Sequence, residues 1–193
     1  MTASGKPFTT YFICLGNRCR SPFAEGTFRR LTSGLPVEVG SVGTLEHEGL
    51  ESPREIHQLA RAGGMDLTAH RSRGLRSVPL SDADLVLGFE LAHVAGAVID
   101  GGAPKDKTFR LPELVRLLDD VSAPAHADPA ERARSLVAAA NQLRSGGKGF
   151  VSGEDVADPF RGPMKGYEQM AGRITQLTEK LVVQLFGASP LRR

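Results

Sequence analysis

Apolar residues along the chain follow two periods. Short runs rich in β-branched and aromatic residues, at 9–15 (TTYFICL), 37–42 (VEVGSV), 85–89 (LVLGF) and 108–111 (TFRL), read as buried strands. Helical spacing fills the intervals. Ser21 is placed as an N-cap with Pro22 at the first helical position; Ala24, Phe28 and Leu31 share a face, and Gly34 and Pro36 end that helix. A second helix starts at Ser52-Pro53, runs through Ile56, Leu59 and Ala60, and stops at Gly63-Gly64. Residues 91–99 predict a short helix, and residues 114–118 another after Pro112. The last helix, residues 167–186, carries Met170, Ile174, Leu177, Leu181 and Leu185 as one stripe. Strands alternating with helices predict one α/β domain over residues 1–193, a four-stranded parallel sheet with helices on both faces. Residues 121–150 stand apart as a helical insertion. Asp128 is its expected N-cap, Glu131 completes a capping box, and Gly146-Gly147 end the helix. Such a segment covers part of a cleft, meets a partner, or decorates the surface.

Composition changes this picture little. A chain of 193 residues suits one well-buried core. A net charge of +2 is too mild to argue for a nucleic-acid or membrane-surface partner. No apolar run reaches the roughly 18 residues that a bilayer span needs. The first residues lack the apolar core of a secretory signal, so a cytoplasmic protein is expected. The two cysteines, Cys14 and Cys19, lie too close together to staple a fold, and a reduced compartment suits them. They cannot complete a zinc set, so neither a metal nor another cofactor is expected.

Candidate chemistry gathers at residues 14–22, CLGNRCRSP, between the first strand and the first helix. The amides of Leu15, Gly16, Asn17, Arg18, Cys19 and Arg20 can form an inward arc that ends on a helix N-terminus, which is an anion site. Gly16 and Asn17 tolerate the positive φ angles of such a turn. Arg20 can set a planar fork against two phosphate oxygens. Cys14 sits at the mouth of this electropositive nest, where a thiolate is expected, and the Ser21 hydroxyl can donate to it. Ligands on parallel sheets bind beyond the carboxyl ends of the strands, where this loop lies. Cys19 is either a partner for a reversible disulfide with Cys14 or a small loop filler.

CLGNRCRSP resembles the signature of the low-molecular-weight protein tyrosine phosphatases. The likeness continues at residues 41–44 (SVGT), 69–73 (AHRSR), 82–89, and the Asp158-Pro159-Phe160 stretch. It implies a two-step reaction through a cysteinyl-phosphate with Cys14 as nucleophile. Arg20 and the loop amides would hold the phosphate, and Asp158 would serve as general acid and then base. It also implies that Asn17, Ser21, Ser41 and His70 support the loop from below. The substrate would be a phosphorylated protein, through phosphotyrosine. The remaining histidines read as ordinary solvated positions. Asp128, the other Asp-Pro, reads as a helix cap and not as the acid.

The sequence departs from that family around the substrate slot. Where many members place an aromatic residue after the Ser-Ala-Gly-Thr match, this chain has Leu45-Glu46-His47-Glu48. Phe160 and Arg161 follow the Asp-Pro, so the slot is assigned to His47, Phe160 and Arg161. Arg18 takes a loop position that is usually apolar or small, and its charge favours acidic substrates. An arsenate reductase using an external thiol and a protein-arginine phosphatase stand as the alternatives.

Overall fold

The computed structural model describes residues 5–122 and 128–187. Four strands, β1 (Phe8–Cys14), β2 (Val37–Gly43), β3 (Leu85–Gly88) and β4 (Thr108–Arg110), form one parallel sheet in the order β2-β1-β3-β4. Parallel neighbours require crossovers. These are supplied by α1 (Arg20–Leu31), by α2 (Arg54–Ala62) with the loops after it, and by α3 (Leu91–Ile99). Three further helices follow β4: α4 (Leu111–Asp119), α5 (Pro129–Leu143) and α6 (Met164–Phe186).

Strand alternation sorts the core into two layers. Phe8 and Phe12 of β1 and Leu85 and Leu87 of β3 point to a large cluster built with α1, α4, α5 and α6. Ile13, which follows Phe12, and Val86, between Leu85 and Leu87, point to a smaller cluster with Leu75, Leu80 and Ala97 of α3. The Phe12 ring meets Phe28 of α1 at 5.6 Å edge-on, and Phe8 meets Phe186 of α6 at 5.8 Å, which ties the two long helices to the central strand. The sheet with helices on both faces is therefore the one that the alternation predicts.

Two boundaries differ in ways that matter. The first helix begins at Arg20 with Cys19 at the cap position, so Ser21 is not an N-cap; its hydroxyl is used elsewhere. The last helix begins at Met164, three residues earlier than its apolar stripe suggests. The helix expected within residues 121–150 is α5. Asp128 caps it through Oδ1, which accepts from the N–H groups of Ala130 at 2.8 Å and Glu131 at 3.1 Å. The Glu131 carboxylate turns to Arg134 at 2.6 Å instead of closing a capping box. Residues 123–127 of this segment lie outside the described residues.

Within the segment, α5 packs into the core and lines no part of the cleft at the Cys14 loop. Ala133, Leu136, Val137 and Ala140 of α5 lie inside the large cluster. Arg134 reaches the opposite end of the sheet from the Cys14 loop. It pairs with Asp84 at 3.0 Å and donates to the carbonyls of Lys6 and Pro7 at 2.9 Å. Burial raises the Asp84 carboxyl, but Arg134 and the Thr9 N–H more than offset this and hold it below the usual carboxylate range.

Candidate active site

β1 ends at Cys14 and α1 starts at Arg20, so five residues turn the chain through the loop. Asn17 at its apex has φ +50°, a left-handed conformation that Asn reaches more easily than most residues. Its fully buried side chain explains why the turn holds. Nδ2 donates to Ser21 Oγ at 2.9 Å and to Ser41 Oγ at 2.8 Å, and Oδ1 accepts the Arg73 N–H at 2.9 Å. The Asn17 carbonyl accepts from His70 Nε2 at 2.8 Å. Burial pushes the His70 ring toward its neutral form, against the pull of that carbonyl. All four residues assigned to loop support therefore meet under one turn.

Two more supports were not evident in the sequence. Ser41 Oγ donates to Glu25 Oε2 at 2.5 Å, which orients the hydroxyl that Asn17 contacts. Gly43 lies so close to the loop that a Cβ there would meet the Leu15 carbonyl oxygen at 2.8 Å and the Asn17 nitrogen at 3.0 Å. Only glycine permits this approach of β2 to the loop. The neighbouring amides of Thr44 and Leu45 then donate to the carbonyls of Cys14 and Leu15 at 2.9 Å each.

Cys14 Sγ lies 3.0 Å from Ser21 Oγ. Because Ser21 already accepts from Asn17, its own proton is free to point at the sulfur. Cys19 differs. Burial, and next the neighbouring Cys14, raise its thiol far above the ordinary range, so it stays protonated. Both cysteines are free.

The Arg20 guanidinium is buried and held by two carboxylates. Nη2 donates to Asp158 Oδ2 at 2.7 Å, and Nη1 pairs with Glu90 and donates to the Val156 carbonyl at 3.0 Å. Its Nε is a buried donor with no partner. Glu90 escaped the sequence reading, although it follows the carboxyl end of β3, where ligands of parallel sheets gather. His93, one turn on, is 2% exposed and not solvated. It accepts the Phe89 N–H at Nδ1, 3.3 Å away. Burial and then nearby Arg20 push its ring down to about 4, against the opposing pull of Glu90, Asp158 and Asp155. His57 is half-buried, and His126 lies outside the described residues.

Asp158 is carried to Arg20 by a well-anchored segment. Arg110, itself buried, donates to Asp155 Oδ1 at 2.9 Å, to the Val151 carbonyl at 3.1 Å and to Glu154 Oε2 at 3.3 Å. Arg116 adds a 2.6 Å contact to Glu154. The Val156 N–H then donates to the Phe89 carbonyl at 3.0 Å, which fixes the segment to the end of β3. Asp158 Oδ1 accepts the Phe160 N–H at 3.1 Å and shapes the following turn.

Above these groups opens a cleft of about 270 Å³. Cys14, Gly16, Cys19 and Asp158 lie in it, with Leu15, Leu45, Leu50 and Phe160 as largely apolar walls. Arg18, His47 and Arg161 complete the lining, so every residue assigned to the substrate slot borders it. No residue of α5 does. Leu45 and Leu50 are 40% exposed and face this cleft as apolar lining. Among the described residues no group of acidic, histidine or cysteine side chains could hold a metal ion, and no helix is long and apolar enough to cross a membrane.

Comparison with known proteins agrees with this geometry. The family model described as low molecular weight phosphotyrosine protein phosphatase matches residues 9–135. A protein-arginine-phosphatase of Geobacillus stearothermophilus is 29% identical, with 93% of this chain and 97% of that protein covered. A probable low molecular weight protein-tyrosine-phosphatase of Ralstonia nicotianae is 29% identical over 55% of this chain and 72% of its own length. Among solved structures, a low molecular weight protein tyrosine phosphatase from T. tengcongensis superposes with a TM-score of 0.67 at 26% identity, covering 92% of this chain and 99% of that one. The family match stops short of Asp158, whose place in the cleft therefore rests on the structure. Loop, sheet order and relatives converge: the chain belongs to the low-molecular-weight phosphotyrosine protein phosphatase family.

Proposed function

We propose that this chain is a protein tyrosine phosphatase working through a cysteinyl-phosphate, without a metal. The observation that carries this reading is that Cys14 and Asp158 line one cleft, with Cys14 Sγ 3.0 Å from Ser21 Oγ and the buried Arg20 2.7 Å from Asp158. The cleft walls support an aryl ester, because Leu15, Leu45, Leu50 and Phe160 offer a ring apolar contact.

The Cys14 sulfur attacks phosphorus as the ester P–O bond breaks, and Asp158 gives its proton to the leaving oxygen. Arg20 and the loop amides hold the equatorial oxygens where charge must be balanced. Arg20 Nε has no partner among the described residues and Nη2 is shared with Asp158, so an incoming phosphate takes the Nε–Nη2 edge and frees the Asp158 carboxylate, which takes up a proton from solvent before it meets the leaving group. Asp158, now a carboxylate, takes a proton from the attacking water. The S–P bond breaks, phosphate leaves, and the sulfur regains the Ser21 hydroxyl as donor.

The cytoplasm, where both thiols stay reduced, is the proposed place of action. Residues 121–150 are read as a helical addition to the shared fold. A second reading, protein-arginine phosphatase, is favoured by the relatives that match nearly the whole chain. An arsenate reductase would leave Asp158 without a task.

Hydrolysis of p-nitrophenyl phosphate, a phosphotyrosine peptide and a phosphoarginine peptide, in EDTA, tests these readings. Cys14→Ser should abolish turnover, and Asp158→Ala should lower it about a hundredfold or more. Asp128→Ala should leave it near wild type. Preference for the phosphoarginine peptide would replace the tyrosyl reading with the second one.

A further inference from the structure

The rim of the cleft carries charge that the phosphoryl chemistry leaves unused. The Phe160 ring is 41% exposed and stands at the mouth. The Arg18 guanidinium lies 5.1 Å from its centroid, and that of Arg161 lies 5.5 Å away. Arg18 Nε donates to the Glu51 carbonyl at 2.7 Å, which fixes its stem and leaves both Nη groups without a partner among the described residues.

Nearby acids do not neutralise this pair. Glu51 is paired with Arg71 at 2.9 Å, Asp158 with Arg20 at 2.7 Å, and Glu48 accepts the Gly74 N–H at 3.0 Å. Neither Arg18 nor Arg161 forms an ion pair among the described residues. His47 also lines the cleft beside them.

The backbone at Arg161 points the same way. Its φ is +64°, where glycine would be easier, and Gly162 is the next residue. The turn is held there by the Arg161 N–H to Tyr167 Oη at 3.2 Å and the Gly162 N–H to the Pro159 carbonyl at 2.8 Å. A long cationic side chain in a glycine-like conformation, laid on an exposed ring at the mouth, is the kind of local cost that accompanies function.

We propose that Arg18 and Arg161, stacked on Phe160, form a specificity element that binds carboxylates flanking the phosphorylated residue. The substrate class is then an acidic phosphopeptide, and the same two charges work against a phosphate borne on a cationic guanidinium. This proposal rests on the phosphatase reading and names the substrate of that site.

Three phosphotyrosine peptides of equal length, with acidic, neutral or basic flanks, test it by their kcat/KM beside p-nitrophenyl phosphate. At low ionic strength the acidic peptide should exceed the neutral one about tenfold, mostly through KM. The ratio should shrink toward one as salt rises to about 0.5 M. Arg161→Gly suits the backbone there and should fold; it should cut the ratio about threefold, as should Arg18→Gln. Arg161→Glu should bring the ratio to one or below and improve the basic peptide. A wild-type ratio near one, or a ratio that all three variants leave unchanged, overturns the proposal while Cys14-dependent turnover of p-nitrophenyl phosphate still stands. Absence of that turnover overturns the underlying phosphatase reading and this proposal with it.

Discussion

A single buried asparagine shows how much of the site rests on individual atoms. Asn17 uses both donors of its amide, its side-chain oxygen and its main-chain carbonyl, and its partners come from three stretches of chain: Ser21, Ser41, and the segment that carries His70 and Arg73. An aspartate there would lose both donations, and an alanine would also leave the left-handed turn without its side-chain ties. His93 makes a comparable contribution through its charge state. Its ring is held neutral first by burial and then by nearby Arg20, and protonation would also cost the bond from the Phe89 N–H. The unfolded ring titrates near 6.5 and the folded one near about 4, so the native state binds fewer protons between those values. Stability is therefore complete above pH 6.5 and falls as pH drops toward 4, by at most about 3 kcal/mol from this residue. Denaturant midpoints measured from pH 7 to pH 4.5 should fall less steeply for His93→Asn, which keeps an acceptor for Phe89 and has no titrating ring. Equal slopes for the variant and the wild type would remove His93 as the source.

Among the elements, the segment that carries Asp158 was the hardest to foresee. The Asp158-Pro159 pair was legible, but nothing in the periodicity of residues 144–163 announced its anchorage. That anchorage consists of long-range pairs from Arg110 and Arg116 to Glu154 and Asp155, and such pairs have no sequence spacing. The strands and the loop after Cys14 were legible because their signals are local: β-branched runs, a Gly-Asn turn, a proline in the first turn of the helix. The same locality misled at Ser21, whose fit to an N-cap is equally a fit to a donor for sulfur. Only the tertiary position of Cys14 decides between them. His93 was misjudged for the same reason, since burial from α3 packing against β3 overrides the average behaviour of histidine. The latch predicts a kinetic split. Glu154→Gln should reduce kcat on a phosphotyrosine peptide roughly three- to tenfold, and less on p-nitrophenyl phosphate, whose leaving group needs little protonation. Equal losses on both substrates, or none on either, would show that the latch does not position Asp158.

At the scale of the molecule, the cleft and α5 occupy opposite ends of the sheet. The cleft sits at the carboxyl ends of the strands, while α5 packs around the start of β1 through Arg134. Leu136 is 2% exposed in the large core cluster, so Leu136→Ala should destabilise by about 2–5 kcal/mol. Its KM and kcat below the melting transition should match wild type. A stability loss under about 0.5 kcal/mol would return α5 to the role of a surface ornament. The close approach at Gly43 has a further consequence, for folding. β1 and β2 pair in register over seven residues, from Phe8 with Val37 to Cys14 with Gly43. A slip of β2 by one position would bring Val42 or Thr44 against the Leu15 carbonyl, where neither side chain fits. The loop can close only on a correctly aligned sheet. Activity is in that sense a proofreading signal for the fold, since a chain with a slipped strand, even one that has collapsed, would bind no phosphate.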